Sequence, residues 1–128
     1  MSTPLGQGRI GWLDLTVPNA EEVRDFYTKV IGWQFQNVSM GDYDDFSMIA
    51  ADGECVAGVC HTRGNNAQMP ATWIPYIMVE DLEASLTMVT ANGGTVRVPT
   101  RDAGPSGRFA VIEDPAGATL ALFQSGQD

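Results

Sequence analysis

The chain has few of the residues that build metal centres, cross-links or nucleic-acid surfaces. Its 128 residues include one histidine, two cysteines and only seven lysines and arginines, against sixteen acidic residues, so the formal net charge is −9. This acidic balance argues against nucleic acid and anionic membranes as partners. No apolar run approaches the roughly 18 residues of a membrane span, and the N-terminal segment does not read as a signal peptide. We therefore expect a protein without membrane or nucleic-acid partners.

The two cysteines, Cys55 and Cys60, lie five residues apart in a run that predicts a strand. Side chains alternate between the two faces of a strand, so these thiols are expected on opposite faces, where a disulfide between them is improbable. Free thiols are typical of a reducing compartment, and we expect a cytoplasmic protein.

The residues that are abundant fit one ordinary domain, since 44% of the chain is hydrophobic. An offset of 62 residues aligns Leu15-Thr16-Val17 with Ile77-Met78-Val79, and Gly32 with Gly94. Each half then predicts a strand, a helix, a glycine turn and three further strands. We expect a single domain, 1–128, made of a first βαβββ module at 8–61, a linker at 62–72 and a second module at 73–124.

The apolar pattern predicts where each element begins and ends. The first helix is expected to start at a capping box formed by Asn19 and Glu22, and the second helix at Asp81. The expected apolar face of the first helix consists of Ala20, Val23, Phe26, Tyr27 and Val30. The expected strands are Ile10 to Val17, Trp33 to Ser39, Phe46 to Ala50, Cys55 to Cys60, Trp73 to Val79, Thr95 to Pro99, Arg108 to Glu113 and Thr119 to Phe123.

Four segments carry a pattern that is distinctive in its order, spacing and duplication. They are Trp12-Leu13-Asp14-Leu15-Thr16-Val17-Pro18, then Phe26-Tyr27 followed by Ile31-Gly32-Trp33, then Tyr76-Ile77-Met78-Val79-Glu80-Asp81, and Glu113-Asp114-Pro115-Ala116-Gly117-Ala118. This pattern resembles the vicinal oxygen chelate superfamily, which includes glyoxalase I, bleomycin-resistance proteins and extradiol dioxygenases. The resemblance implies an α+β fold in which two tandem βαβββ modules surround a shared concave cleft. It also implies a homodimer.

Metal-dependent members of that family hold their ion at four positions, on the first and fourth strands of each module. The resemblance matches these positions to Trp12, Ala57, Ile74 and Ala121. None of these side chains can coordinate a divalent ion, so we expect no metal and no other cofactor. His61, the only histidine, is expected at the surface just beyond the fourth strand.

Alternation along the first strand predicts that Trp12 and Asp14 face away from the apolar Leu13 and Leu15. Family geometry places the Trp12 side on the cleft. The expected ligand-binding residues are Trp12, Asp14, Ile74, Tyr76, Met78, Thr119 and Ala121, with Phe123 on the same face as the last two. For the strands that contain Phe46 and Phe109, the sequence is compatible with either face.

An apolar and aromatic lining with few polar groups is typical of a small-molecule pocket. The leading hypothesis is a metal-free protein that binds and sequesters an aromatic or cationic small molecule. The alternative is a metal-independent isomerase, lyase or hydroxylase-like enzyme in which Asp14 is the general base, because a carboxylate in an apolar cleft resists ionisation. Asp14 is also compatible with a purely structural hydrogen bond. An accessory subunit that contacts another protein through its aromatic face is a third class.

Overall fold

The eight expected strands and both expected helices are present in the computed structural model, which describes residues 6–126. The helices are α1 (Ala20–Ile31) and α2 (Leu82–Ala91). The strands are β1 (Ile10–Val17), β2 (Gln34–Ser39), β3 (Asp44–Ile49), β4 (Cys55–His61), β5 (Trp73–Met78), β6 (Thr95–Asp102), β7 (Gly107–Glu113) and β8 (Thr119–Ser125). The α+β class and the order of two βαβββ modules are confirmed. No helix of the described residues is long and apolar enough to cross a membrane.

Two compact units divide the chain. The first unit is Trp12–Trp73, and the described residues of the second unit are 6–11 and 74–126. In the first unit the strand order is β2-β3-β4-β1, with β1 parallel to β4 and the other neighbours antiparallel. The order β5-β8-β7-β6 repeats this pattern in the second unit, where β5 is parallel to β8.

Helix α1 covers one face of the first unit's sheet with a narrower apolar stripe than expected. Ala20 is fully buried, and Val23 and Tyr27 pack against the core that contains Leu15. Phe26 and Val30 were also expected on this face, but 55% and 63% of their surface is exposed. Phe26 precedes Tyr27 by one residue, a rotation of about 100° around the helix that takes it off the stripe. Val30 lies in the last turn of the helix.

The helix ends follow the expected signals in part. Asp81 caps α2, because its carboxylate accepts a hydrogen bond from the Ala84 backbone N–H at 3.1 Å. Asn19 precedes α1 but bonds no backbone group of the helix through its side chain; its amide donates to the Glu22 carboxylate at 3.1 Å. Gly32 ends α1 with φ at 88°, a left-handed conformation that favours glycine.

The strand bounds differ from the expected ones mainly at β6, which runs three residues beyond Pro99 to Asp102. The extension remains paired, because Asp102 lies opposite Arg108 of β7. A register shift between Met48 and Ile49 marks an irregularity in the pairing of β3 with β4.

Candidate functional site

Strand β1 presents two chemically different faces, as its alternation predicts. Leu13, Leu15 and Val17 pack into the core beneath α1. Trp12 and Asp14 therefore lie on the opposite face of the strand, where both are partly buried. This face carries the polar groups described next.

The Asp14 carboxylate is held by groups from two strands. The Trp12 indole Nε1–H donates to Asp14 Oδ1 at 2.6 Å, and the Cys60 thiol donates to Asp14 Oδ2 at 3.9 Å. Gly58, the partner of Asp14 in the β1–β4 pairing, leaves the room for this arrangement. A methyl group at Gly58 would overlap the Asp14 carboxylate.

Burial raises the pKa of Asp14 to about 6, although the indole hydrogen bond acts in the opposite direction. The negative charge of Asp45 raises this pKa further, whereas the Cys60 hydrogen bond lowers it. Asp14 is therefore a carboxylate at neutral pH that takes up a proton much more readily than an ordinary aspartate does.

The sequence reasoning placed neither Asp45 nor His61 in this neighbourhood. Asp45 is only 5% exposed, and its Oδ1 accepts from the His61 backbone N–H at 2.8 Å and lies 3.3 Å from His61 Nδ1. His61 belongs to β4 and is partly buried, so the expectation of a surface residue beyond that strand is wrong. The buried Asp45 carboxylate contacts both the backbone N–H and the ring of His61 and thereby holds His61 in the sheet.

The pairing of β3 with β4 shows on which face of the sheet Phe46 lies, which the sequence alone left open. Phe46 and Met48 lie in the core beneath α1, so Asp45 faces the other way. Phe46 pairs with Val59, which places Asp45 beside Cys60 on the next pair of positions. The alternation of polar and apolar residues in Asp45-Phe46-Ser47-Met48 could have predicted the face on which Asp45 lies. Only the hairpin register shows that Cys60 of β4 is its neighbour.

In the second unit, the expected ligand-binding residues lie on the face of the sheet opposite α2. Ile74, Tyr76 and Ala121 are buried, with 1%, 7% and 0% of their surface exposed, whereas Met78 and Thr119 are partly buried. The Tyr76 ring lies 5.8 Å from the Phe109 ring and 6.5 Å from the Phe123 ring. Phe109 therefore lies on the same face as Tyr76. The role of these residues in ligand binding stays a prediction.

The four positions matched to the family's metal ligands do not fit a metal ion. The register pairs Asp14 with Gly58 and Tyr76 with Ala121, so the first-unit counterpart of Ala121 is Gly58. The assignment of that position to Ala57 is wrong by one residue. Ala57 belongs to the core beneath α1, and the irregular β3–β4 pairing shifts the count after the turn. Glycine has no side chain to offer, and within residues 6–126 no group of three or more His, Cys, Asp and Glu side chains is arranged around a metal position.

An open hollow of about 610 Å³ lies on the α1 side of the first unit. Its wall includes the His61 ring, which lies 5.5 Å from the Tyr43 ring and 6.0 Å from the Phe46 ring. Guanidinium groups cover aromatic faces here, since the Arg63 group lies 4.0 Å from the centre of the Tyr43 ring. Residues that line the hollow include Glu21, Arg24, Asp42, Tyr43, His61 and Arg63.

The family model described as "Glyoxalase/Bleomycin resistance protein/Dioxygenase superfamily" matches residues 9–122 of the chain. The chain belongs to this superfamily. Solved structures that are similar to this superfamily member include methylmalonyl-CoA epimerase from Mycobacterium tuberculosis, at a TM-score of 0.61 and 14% identity, over 99% of this chain and 93% of that chain. The 2,3-dioxygenase LapB from Pseudomonas sp. KL28 has a TM-score of 0.55 and 17% identity, over 93% of this chain and 43% of that chain. At these identities the likeness shows the fold.

Two relatives are similar in sequence to this superfamily member. The protein named "Putative glyoxylase CFP32" from Mycobacterium tuberculosis is 35% identical in an alignment of 123 positions that covers 94% of this chain and 47% of that protein. The anthracycline biosynthesis protein DnrV of Streptomyces peucetius is 32% identical in an alignment of 136 positions that covers 97% of this chain and 50% of that protein. The chain thus spans about half the length of each of these relatives.

Proposed function

We propose that the face of the first unit opposite α1 binds a small aromatic or cationic molecule, with Trp12 and Asp14 as the binding residues and without a metal ion. The arrangement of the Asp14 carboxylate carries this proposal. It is partly buried and bonded to an indole N–H, and it keeps a negative charge at neutral pH because its pKa is about 6. A carboxylate beside an aromatic ring suits a ligand that combines a ring with a positive charge.

The similarity to a protein named for anthracycline biosynthesis supports an aromatic ligand. The relatives are about twice as long as this chain, so their activities are not carried over whole. What supports the proposal here is the side-chain chemistry of the first unit together with membership in a superfamily whose members generally bind small molecules.

A set of three fragments tests the binding proposal: benzylamine, benzyl alcohol and benzoate. We expect benzylamine to bind best and to shift the Trp12 indole N–H resonance, which a Trp12→Phe variant assigns. Asp14→Asn is expected to weaken benzylamine about tenfold, since it removes one charged partner. The control Asp25→Asn removes an exposed carboxylate of α1 and should leave the affinity unchanged. Equal affinities for all three fragments would contradict the proposal. A Trp12 resonance that does not shift when benzylamine is added would also contradict it.

The raised pKa of Asp14 favours a second function, in which this carboxylate is a general base. A base whose pKa is near 6 removes a proton more effectively than an ordinary aspartate and is still ionised at pH 7. Exchange of an acidic C–H for deuterium in a carbonyl probe such as phenylacetone measures this ability. The exchange rate should rise with pH around a midpoint of about 6 and disappear in Asp14→Asn. If that variant retains fragment affinity but loses exchange, a role in binding alone is wrong.

The proposal also includes the oligomeric state of the protein. We infer a homodimer, which is supported by the exposed apolar side chains of α1, namely Phe26, Val30 and Ile31. Sedimentation equilibrium measures this state.

The location and the metal content complete the proposal. A cytoplasmic location is supported by the two free thiols. Elemental analysis of protein purified without chelators tests the metal-free state, which one equivalent of a transition metal per chain would contradict.

A further inference from the structure

Four titratable side chains form a continuous line through the first unit, from Asp14 by way of Cys60 and Asp45 to His61. The Cys60 thiol donates to Asp14 Oδ2 at 3.9 Å. Asp45 lies beside Cys60 in the β3–β4 pairing, where its carboxylate acts on the thiol. Asp45 Oδ1 in turn meets both the backbone N–H and the ring Nδ1 of His61. The line therefore joins Asp14 to a ring that lines the hollow on the α1 side.

The Cys60 thiol has one proton and two carboxylates to which it can donate. Burial raises the pKa of this thiol, and the charges of Asp14 and Asp45 raise it further, so the proton stays on sulfur at physiological pH. A single S–H can donate fully to only one carboxylate at a time. Protonation of Asp14 removes its negative charge and makes this carboxyl group a weaker acceptor, so the hydrogen bond of the Cys60 thiol changes when Asp14 titrates.

The fold does not require polar groups at these three positions. In the second unit the same positions of the repeat hold aromatic rings, because Tyr76, Phe109 and Phe123 occupy the register positions of Asp14, Asp45 and Cys60. Two carboxyl groups and a thiol are harder to bury than three rings. Their presence in the first unit thus points to a role other than packing.

We propose that Asp45, anchored by His61, is a positioning residue for Asp14, and that it acts through its charge and through the Cys60 thiol to set when Asp14 takes up a proton. The inference deepens the proposed function by naming the groups that control its central carboxylate. It rests on Asp14 being the functional residue.

Polar and charged groups other than these four residues surround both ends of the line. Beside Asp14 lies the uncharged Trp12 indole N–H. Around His61, the loop before β3 supplies the Tyr43 ring, and the wall of the hollow carries charges from α1, from β3 and its preceding loop, and from the segment after β4. These charged residues are Glu21, Arg24, Asp42, Asp44 and Arg63.

The decisive experiment compares two neighbouring carboxylates of β3. The Asp14 carboxyl carbon is titrated by NMR in the wild-type protein, in Asp45→Asn and in the matched control Asp44→Asn. Asn at position 45 still accepts from the His61 N–H, so the anchor remains while the charge is lost. We expect Asp45→Asn to lower the Asp14 midpoint by about half a pH unit or more, in the range that nearby charges produce. The shift in Asp44→Asn should be less than half as large, and equal shifts in the two variants would overturn the proposal.

A second measurement does not depend on the folding of the Asp45 variant. In a Cys55→Ser background, Cys60 is the only thiol in the sequence, so its infrared S–H band can be followed against pH. We expect the band to move with the same midpoint as the Asp14 carboxyl carbon, and a band that is constant through that transition would contradict the role of the thiol. Neither measurement uses a ligand. If the titrations show this coupling but no fragment binds, the proposed function is refuted, whereas the physical coupling of Asp45 to Asp14 is retained.

Discussion

The two units share a fold and differ in what they hold at three equivalent register positions. In the first unit these positions carry two carboxyl groups and a thiol, contributed by Asp14, Asp45 and Cys60. In the second unit they carry a cluster of rings, contributed by Tyr76, Phe109 and Phe123. The aromatic set stabilises its unit by burial, whereas the polar set costs free energy to bury. The comparison separates side chains that favour packing from side chains whose burial costs free energy.

The largest effect is expected where the comparison assigns packing. Phe109 is 6% exposed, and Phe109→Ala should lower the free energy of unfolding by about 3–5 kcal/mol, because it removes a buried ring and leaves a cavity. Urea denaturation measures the change. The control Phe26→Ala truncates a ring that is 55% exposed and should cost much less. An equal decrease in the free energy of unfolding in the two variants would contradict the packing role of the aromatic set.

A smaller effect on stability is expected from substitutions of Gly58 and Ala121, the residues that pair with Asp14 and Tyr76. Gly58→Ala places a methyl group against the Asp14 carboxylate and should destabilise the protein by about 1–3 kcal/mol through overpacking. Ala121→Gly at the equivalent position removes a buried methyl group and should cost about 1 kcal/mol, with Asp14 undisturbed. The Asp14 titration distinguishes them, since only Gly58→Ala should move it. An unchanged Asp14 midpoint in Gly58→Ala would contradict the close approach.

The pH dependence of stability should differ between wild type and Asp14→Asn. The folded-state pKa of Asp14, about 6, is raised above its unfolded value of about 3.9. The folded state therefore holds the proton more tightly, and this contribution is full below about pH 4 and lost as the pH rises through about 6. The difference in unfolding free energy between the two proteins should change by about 1–3 kcal/mol across this window. A difference that is independent of pH would show that Asp14 titrates normally.

The smallest effect is expected from Trp12→Phe. This variant removes the indole N–H that donates to Asp14, and that hydrogen bond lowers the pKa of the carboxyl group. The Asp14 midpoint should therefore rise above the wild-type value. A midpoint that falls in Trp12→Phe would contradict the assignment of the donor.

Local pattern was sufficient to predict much of the fold. Strict alternation in β1 fixed the faces of Trp12 and Asp14, and an acidic cap was enough to predict the start of α2 at Asp81. The contact between Asp45 and His61 was not recognised, because the two residues lie sixteen apart in sequence and only the hairpin register brings them together. The same irregular hairpin explains the assignment of Ala57 in place of Gly58. Residues that meet through register need long-range information that a local pattern does not hold.

The central claim is that one carboxyl group of the first unit is tuned for chemistry while its counterpart position in the second unit is filled by a ring. Titration of the Asp14 carboxyl carbon by NMR in the unmodified protein tests it directly. The account predicts a single transition with a midpoint near the pKa of about 6 that burial produces. A midpoint near the ordinary aspartate value of about 3.9 would contradict it.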